Sequence, residues 1–315
     1  MTDQKFLVFE KNIEREKSRQ RVMRILVQVF LYLFLIIMAL IIVFPFYFML
    51  ISSVKELAEY RLPQQTLWPN KIVFHNYVEA FHTANLGTLF SNTLYVGLVS
   101  TALSLVITVI TAFAFARLEF KGKNAMFAAL LATMMIPGEL FTITNYQTVS
   151  DFLGFRTLGR ELGSGDLIAM GDWKNTFTVL IVPFLVSVFY IYLLRQNFLQ
   201  IPNELYLAAK VDGTSDIKYL WKVMIPLALP TLISITILKM MGAWNSYMWP
   251  QLVANDEAHR LITNGLRNAF TTTSGDVNIP VQMAAVAIVS APLFLVFIFL
   301  RKYIMKGVSR SGIKG

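Results

Sequence analysis

Two ionisable residues stand out because each lies in a stretch that is otherwise apolar. Lys239 falls within segment 226–249, and Glu139 directly follows the Pro137-Gly138 pair. If such segments cross a membrane, an ionisable side chain there is costly and usually faces a cavity or a charged partner. We therefore hypothesise that Lys239 and Glu139 approach each other. The alternative is that each side chain extends to its own membrane surface.

A second group of candidates combines aromatic rings with a side-chain amide: Trp244, Asn245, Tyr247 and Trp249. Aromatic faces stack on sugar rings and amides bond to hydroxyl groups, so this group is a candidate substrate pathway. An unpaired Lys239 could then meet an anionic sugar. The alternative is that these aromatic side chains form the interfacial belt at the outer end of a membrane span.

The sequence offers little for catalysis or metal binding. It contains no cysteine, which excludes a disulfide framework, a thiolate metal site and a cysteine nucleophile. The spacing of His75, His82 and His259 matches no zinc signature, and no Gly-x-x-x-x-Gly-Lys-Ser/Thr loop is present to hold phosphates. We therefore expect that the chain is not an enzyme and binds no cofactor or metal.

The composition is that of a membrane protein. Of the 315 residues, 56% are hydrophobic and only 15% are charged, whereas soluble domains average about 25% charged residues. The net charge of +9 is better explained by the anionic lipid of the cytoplasmic leaflet than by nucleic acid, and we expect no nucleic-acid partner.

Hydropathy divides the chain into six predicted transmembrane helices, each long enough to cross a bilayer, which takes about 20 apolar residues. The predicted fold is therefore an all-α membrane protein, with a cytoplasmic segment 1–24, a membrane domain 25–303 and a tail 304–315. The predicted spans are 25–50, 91–116, 125–145 (interrupted at Pro137-Gly138), 176–196, 226–249 and 280–301.

The basic residues are distributed unevenly between the two sides of these spans. Of the 28 Lys and Arg residues, 19 lie on the side that holds both termini and the 195–225 loop, 8 lie on the other side, and one is Lys239. Because cytoplasmic segments carry the excess of positive charge, both termini are expected to be cytoplasmic, in a bacterial or archaeal inner membrane.

Segment 203–226 is the one long amphipathic insert between apolar segments. Asp212-Gly213 divides it, because glycine accepts the left-handed conformation that ends a helix. Thr214, Ser215 or Asp216 can then cap a second helix, which carries an apolar stripe of Ile217, Leu220, Trp221 and Met224. Pro226 is expected to begin the next membrane helix. The segment either rests on lipid headgroups or docks a soluble partner.

The sequence of this segment resembles the cytoplasmic coupling loop of permease subunits in ATP-driven, binding-protein-dependent importers. That family's pattern is Glu-Ala-Ala, three residues, Gly, nine residues, two aliphatic residues one apart, then Pro. The matching residues are Ala208, Ala209, Asp212, Gly213, Val223, Ile225 and Pro226. Leu207 replaces the family's Glu, which contacts the ATPase, and Glu204 lies close to one helical turn earlier.

Short strings elsewhere extend the resemblance in order, including Phe120–Lys123, Leu193–Gln196, Gly242–Asn245 and a tail ending Lys314-Gly315. They are similar to the maltose-transporter type of the carbohydrate-importer branch. The resemblance implies a second permease subunit, an extracytoplasmic binding protein and an ATPase dimer that carries the ATP and magnesium. It also implies that Lys314 and Gly315 reach between the two ATPase subunits.

Two other classes are weaker fits to the sequence. A stand-alone carrier or channel gives no reason for a coupling loop. An integral membrane enzyme would need a polar catalytic cluster at membrane depth, where the sequence offers only Glu139 and Lys239.

Overall fold

The computed structural model describes residues 2–271 and 277–309, and the regular structure within those ranges is entirely helical. Its α-helices are α1 (Thr2–Ser53), α2 (Leu57–Tyr60), α3 (His75–Thr83), α4 (Leu86–Arg117), α5 (Lys123–Thr133), α6 (Leu140–Ser150), α7 (Phe155–Leu162), α8 (Gly165–Gly171), α9 (Phe177–Ile181), α10 (Val188–Leu199), α11 (Asn203–Val211), α12 (Asp216–Tyr219), α13 (Ile225–Trp244), α14 (Met248–Val253), α15 (Ile262–Ala269) and α16 (Ile279–Ser309).

Four helical stretches of the described chain are long and apolar enough to cross a membrane. They are Arg19–Ser53, Leu86–Arg117, Asp216–Trp244 and Ile279–Phe299. A fifth candidate is a bent pair, Phe177–Phe184 and Val188–Leu199, whose two halves differ in direction by 46°. These five stretches overlap the first, second, fourth, fifth and sixth predicted spans, although helix α13 ends at Trp244, five residues before the predicted end of the fifth span.

The third predicted span, 125–145, is not one continuous helix. It consists of α5 and part of α6, each 11 residues long, with Pro137 and Gly138 in the interval between them. Proline lacks the N–H group and sterically excludes the preceding turn, so a helix cannot run through Pro137 without a break. The predicted interruption at Pro137-Gly138 is confirmed. It is longer than expected, because it separates Thr133 at the end of α5 from Leu140 at the start of α6.

The chain divides into two compact units, of which the first holds the residues up to Asn76 together with Asn278–Ala287. Within it, the segment after α1 is folded, although Pro63, Pro69 and Asn70 are turn signals that favour irregular structure. Lys55 is fully buried and its ammonium group donates to the Thr66 carbonyl. The Asn76 amide donates to the carbonyls of Ser53 and Lys55 at 2.9 and 2.8 Å. Buried backbone groups demand such partners, which explains why this segment is ordered.

The second unit contains Tyr77–Val277 and the end of the chain from Ile288. Its helices α4, α10 and α13 pack together through small and hydroxyl residues, as the sequence of α4 predicts. A carbon added at Gly97 would lie 3.2 Å from the Met240 methyl group, so the glycine permits close approach of α4 and α13. Ser100, Ser104 and Thr108 of α4 are buried in the same unit.

The segment between α6 and α9 carries two short helices, α7 and α8. Between α6 and α9, helices α7 and α8 are joined by an ion pair between Arg156 and Asp172 at 3.3 Å, and Trp173 stacks on Phe152 with ring centres 4.3 Å apart. Charge pairing and ring stacking therefore give structure to a segment that lacks a long hydrophobic run.

Candidate functional site

The segment 203–226 forms the helix–turn–helix that the sequence predicts, and we call residues 203–224 the coupling hairpin. Helix α11 ends at Val211 with Asp212 as its C-cap, and Gly213 adopts a left-handed φ of 70°. The N–H of Gly213 donates to the Lys210 carbonyl at 3.0 Å, and that of Thr214 to the Ala209 carbonyl at 2.8 Å. This pair of bonds is a Schellman motif, in which glycine supplies the left-handed residue.

The second half of the hairpin begins with Ser215 as its N-cap, one of the three capping residues that the sequence predicts. The Ser215 side chain accepts a hydrogen bond from the Lys218 N–H at 3.4 Å and caps α12. From Asp216 the chain remains helical to Trp244, through a π-helical turn at Leu220–Met224. Pro226 lies in the first turn of α13, as the sequence predicts, although helical structure also continues across it from α12. A π-turn directly before a proline accommodates the missing N–H and the ring without ending the helix.

The predicted apolar stripe on this second half is only partly correct. Leu220 and Met224 are buried against α4 and α10, whereas Ile217 and Trp221 are 71% and 64% exposed. The wider π-turn changes the angle between successive residues, so the four side chains do not share one face. Together with Val211, which is 88% exposed, Ile217 and Trp221 leave apolar surface on the outside of the hairpin.

A polar cluster joins the two halves of the hairpin across the turn. One carboxylate oxygen of Asp216 accepts hydrogen bonds from the Tyr206 hydroxyl at 2.7 Å and the Lys210 ammonium at 2.8 Å. The bond to Asp216 raises the pKa of Lys210, and partial burial raises the pKa of the Tyr206 hydroxyl. The lysine therefore stays charged and the tyrosine neutral at physiological pH, which preserves the cluster.

Arg117, at the end of α4, fixes the hairpin to the membrane helices. Its guanidinium group is buried and donates to the carbonyls of Phe198 and Ile201 at 2.9 and 2.5 Å, and to the Asn203 side chain at 3.3 Å. These carbonyls close the end of α10, and Asn203 begins α11. A cation at a helix C-terminus satisfies carbonyls that lack helical partners.

A cavity of about 430 Å³ lies between α4, α13 and the bent pair of helices 177–184 and 188–199. Helix α13 is the continuation of the second half of the hairpin. Its lining combines apolar side chains with the polar groups of Ser100, Ser187, Tyr190, Lys239 and Ser246. The bend at residues 185–187 contributes directly to this space, since Phe184, Val186 and Ser187 all line it. Non-helical backbone at membrane depth is tolerated where it is buried in protein or faces a cavity.

Lys239 reaches the carbonyl oxygen of this bend and not Glu139. Its ammonium nitrogen lies 2.5 Å from the Phe184 carbonyl oxygen. Glu139 is exposed in the interval between α5 and α6, and no ion pair joins it to Lys239 in the described part of the chain. The hypothesised pair is thus absent from this structure, because the bend leaves a carbonyl free to accept the lysine.

The four aromatic and amide candidates are not gathered in one place. Trp249 lines the cavity, with its indole N–H donating to the Val179 carbonyl at 2.9 Å. Trp244 is buried against Phe90, with ring centres 5.6 Å apart. Asn245 is exposed at the end of α13, and Tyr247 bonds to Arg267. None of these last three residues lines the cavity.

Of the predicted coupling residues, Glu204, Leu207, Ala208, Asp212, Gly213 and Pro226 are exposed and Ala209 is half-buried. Lys314 and Gly315 lie outside the described residues. Within the described residues no cluster of His, Asp or Glu could hold a metal ion.

The sequence reasoning missed the anchoring role of Arg117 and the Tyr206–Lys210–Asp216 cluster. The sequence signal for each was weak. Arg117 is a basic residue directly after a predicted apolar span, and Lys210 and Asp216 are opposite charges on either side of a predicted turn.

The fold and these sites define an all-helical membrane permease, within the described residues, with a helical hairpin at one end of a candidate membrane span. The chain belongs to the family described as the binding-protein-dependent transport system inner membrane component, whose model matches residues 12–310.

Several curated relatives are similar over most of their length. The arabinooligosaccharides transport system permease protein AraQ of Halalkalibacterium halodurans is 28% identical, over 87% of this chain and 91% of that protein. The melibiose/raffinose/stachyose import permease protein MelC of Bacillus subtilis is also 28% identical, over 86% and 91%. The sn-glycerol-3-phosphate transport system permease protein UgpE of Rhizobium meliloti is 28% identical, over 84% and 90%.

A solved structure shares the fold. It is a chain of a bacterial ABC transporter involved in the import of the acidic polysaccharide alginate, with a TM-score of 0.71 and 23% sequence identity, over 86% of this chain and 94% of that one.

Proposed function

We propose that this chain is the permease subunit of an ATP-driven importer that carries a saccharide delivered by an extracytoplasmic binding protein. The family supports binding-protein-dependent transport, and the transport names of the relatives support a saccharide or a related polyol derivative. A second permease subunit and an ATPase dimer would complete the complex, and the ATPase would bind the ATP and magnesium.

The observation that carries this proposal is the hairpin, which is both rigid and outwardly apolar. Its turn is closed by the Schellman bonds, its halves are joined through Asp216, and its start is fixed by Arg117. Exposed Val211, Ile217 and Trp221 remain without neighbours that bury them. Large exposed apolar side chains on a rigid element support a docking surface.

The route from this surface to the cavity is a single helix. The second half of the hairpin continues without interruption from Asp216 to Trp244, and Lys239 projects from that helix into the cavity. At 1.5 Å per residue, Asp216 and Lys239 are about 35 Å apart along the helix. Movement of the ATPase against the hairpin would tilt this helix and change the cavity, which is alternating access by rocking of a rigid element.

The orientation in the membrane is part of the proposal. Both termini and the hairpin are placed in the cytoplasm, because 19 of the 28 Lys and Arg residues lie on that side. An intracellular ATPase could then reach the hairpin.

Site-directed cross-linking tests the docking role, since the native chain has no cysteine. Ala208→Cys places a thiol on the exposed face of α11, and Leu153→Cys places one at a 75% exposed position between α6 and α7 as a matched control. We expect the Ala208→Cys complex to cross-link to the ATPase subunit in native membranes and the control to give no such product. If Ala208→Cys reacts only with lipid probes, the hairpin rests on headgroups and the docking role is wrong.

A further inference from the structure

The cavity carries a positive charge that its own lining does not neutralise. Lys239 is its single ionisable amine, and no Asp or Glu side chain contributes to the lining. In the described part of the chain no carboxylate lies within ion-pair distance of Lys239. An uncompensated cation on low-dielectric walls attracts anions into the space that it faces.

The contact with Phe184 does not account for this charge. An ammonium group has three donors, and the Phe184 carbonyl uses one of them. A neutral amide or hydroxyl donor could satisfy the same carbonyl without the desolvation penalty of a charge at membrane depth. The remaining donors of Lys239 are therefore available to a ligand in the cavity.

Hydroxyl groups around the lysine suit a saccharide. Ser187 lies at the bend of the fourth span, Ser100 lies on α4 and Ser246 follows α13, while the Tyr190 hydroxyl and the Trp249 ring complete the polar and aromatic lining. Hydroxyl groups both donate to and accept from sugar hydroxyls. The space of about 430 Å³ falls within the range of small-molecule sites.

We propose that this cavity is a substrate subsite for a saccharide that carries an anionic oxygen group, a carboxylate or a phosphate, with Lys239 as the residue that selects the charge. The proposal rests on the proposed function, because it assigns the class of cargo that the importer carries. Lys239 would exchange part of its contact with the bend for the anionic group while the sugar hydroxyls bond to the serine and tyrosine side chains.

The test is binding to the purified complex, followed through quenching of tryptophan fluorescence, because Trp249 lines the cavity. Two matched pairs of probes are used: trigalacturonate with its neutral methyl ester, and glucose 1-phosphate with glucose. We expect at least one anion to bind the wild-type complex at least tenfold more tightly than its neutral counterpart. The pair that responds distinguishes a carboxylate from a phosphate.

Two variants separate the charge from the contact with the bend. Lys239→Gln retains a donor for the Phe184 carbonyl and removes the charge, whereas Lys239→Arg retains the charge. We expect Lys239→Gln to lose the preference for the anion and Lys239→Arg to keep most of it. Equal binding within both pairs, no binding of any probe, or a preference that survives in Lys239→Gln would each overturn the proposal.

Failure of this inference is distinguishable from failure of the proposed function. If Ala208→Cys still cross-links to the ATPase while the cavity shows no preference for charge, only the assignment of an anionic cargo is wrong. If that cross-link is also absent, the coupling role itself is contradicted.

Discussion

At the scale of single residues, Arg117 shows how a charged side chain can stabilise a membrane protein from within. Its buried guanidinium group binds the carbonyls that end α10 and the side chain that begins α11. The sequence distinguishes it only as one of several basic residues on the predicted cytoplasmic side, since its partners lie more than 80 positions away. Burial and long-range partners of this kind are set by tertiary packing and not by local pattern.

Replacing Arg117 should destabilise the complex. Arg117→Met removes the guanidinium donor from the Ile201 carbonyl and leaves the Phe198 carbonyl with the Ile201 N–H at 3.3 Å. Loss of a donor to a buried acceptor costs about 2 kcal/mol. We expect a lower midpoint of thermal denaturation for the purified complex. Lys121→Met, at an exposed position a few residues later, is the control and should leave the midpoint unchanged. Equal midpoints for the two variants would contradict the anchoring role.

Lys239 illustrates the limit of pairing charges by sequence. Two lone ionisable residues in apolar segments are candidate functional positions, and Lys239 lies in the lining of the cavity. The partner could not be predicted, because the acceptor is a backbone carbonyl exposed by the bend after Phe184. Whether a backbone carbonyl lacks a helical hydrogen bond depends on the local helix geometry, and the types of side chain in the sequence do not specify that geometry.

At the scale of elements, the turn of the hairpin should depend on glycine. Gly213 has a φ of 70°, and no heavy atom lies within 4 Å of a carbon added there, so conformational strain is the main effect of Gly213→Ala. The strain is about 1 kcal/mol. We expect the backbone amides of the hairpin to exchange hydrogen about fivefold faster in the purified complex.

Gly165→Ala is the matched control for this measurement. Its added carbon also has open space, and its φ is not left-handed. Unchanged exchange at the hairpin in Gly213→Ala, or an equal acceleration in the control, would show that the Schellman turn does not determine the stability of the hairpin.

The hairpin was predictable because its signals are local: Asp212-Gly213 ends one helix, Ser215 caps the next, and both features are confirmed. The continuous helix through Pro226 was not predictable, because a π-turn arises from how the chain accommodates the proline ring within a packed bundle. The same turn explains why the expected apolar stripe divides into a buried pair and an exposed pair.

At the scale of the whole molecule, the apolar surface shows that the chain does not act alone in water. In the span Arg19–Ser53 no residue of the most apolar part is buried within the chain, and most of the apolar part of Ile279–Phe299 is also unburied. Such surfaces require lipid or other membrane subunits. Composition predicted this membrane class, whereas the packing of individual spans depends on partners that the sequence does not contain.

We propose that ATP hydrolysis on a separate subunit drives transport through this chain. The most direct measurement uses vesicles that contain the purified complex. It follows uptake of the solute that the binding protein of the complex carries and delivers. ATP would be supplied to the face that carries the hairpin. We predict uptake only when ATP and magnesium are present, and its loss when ATP is withheld. Uptake that continues without ATP and follows an ion gradient would contradict the account and identify a secondary carrier.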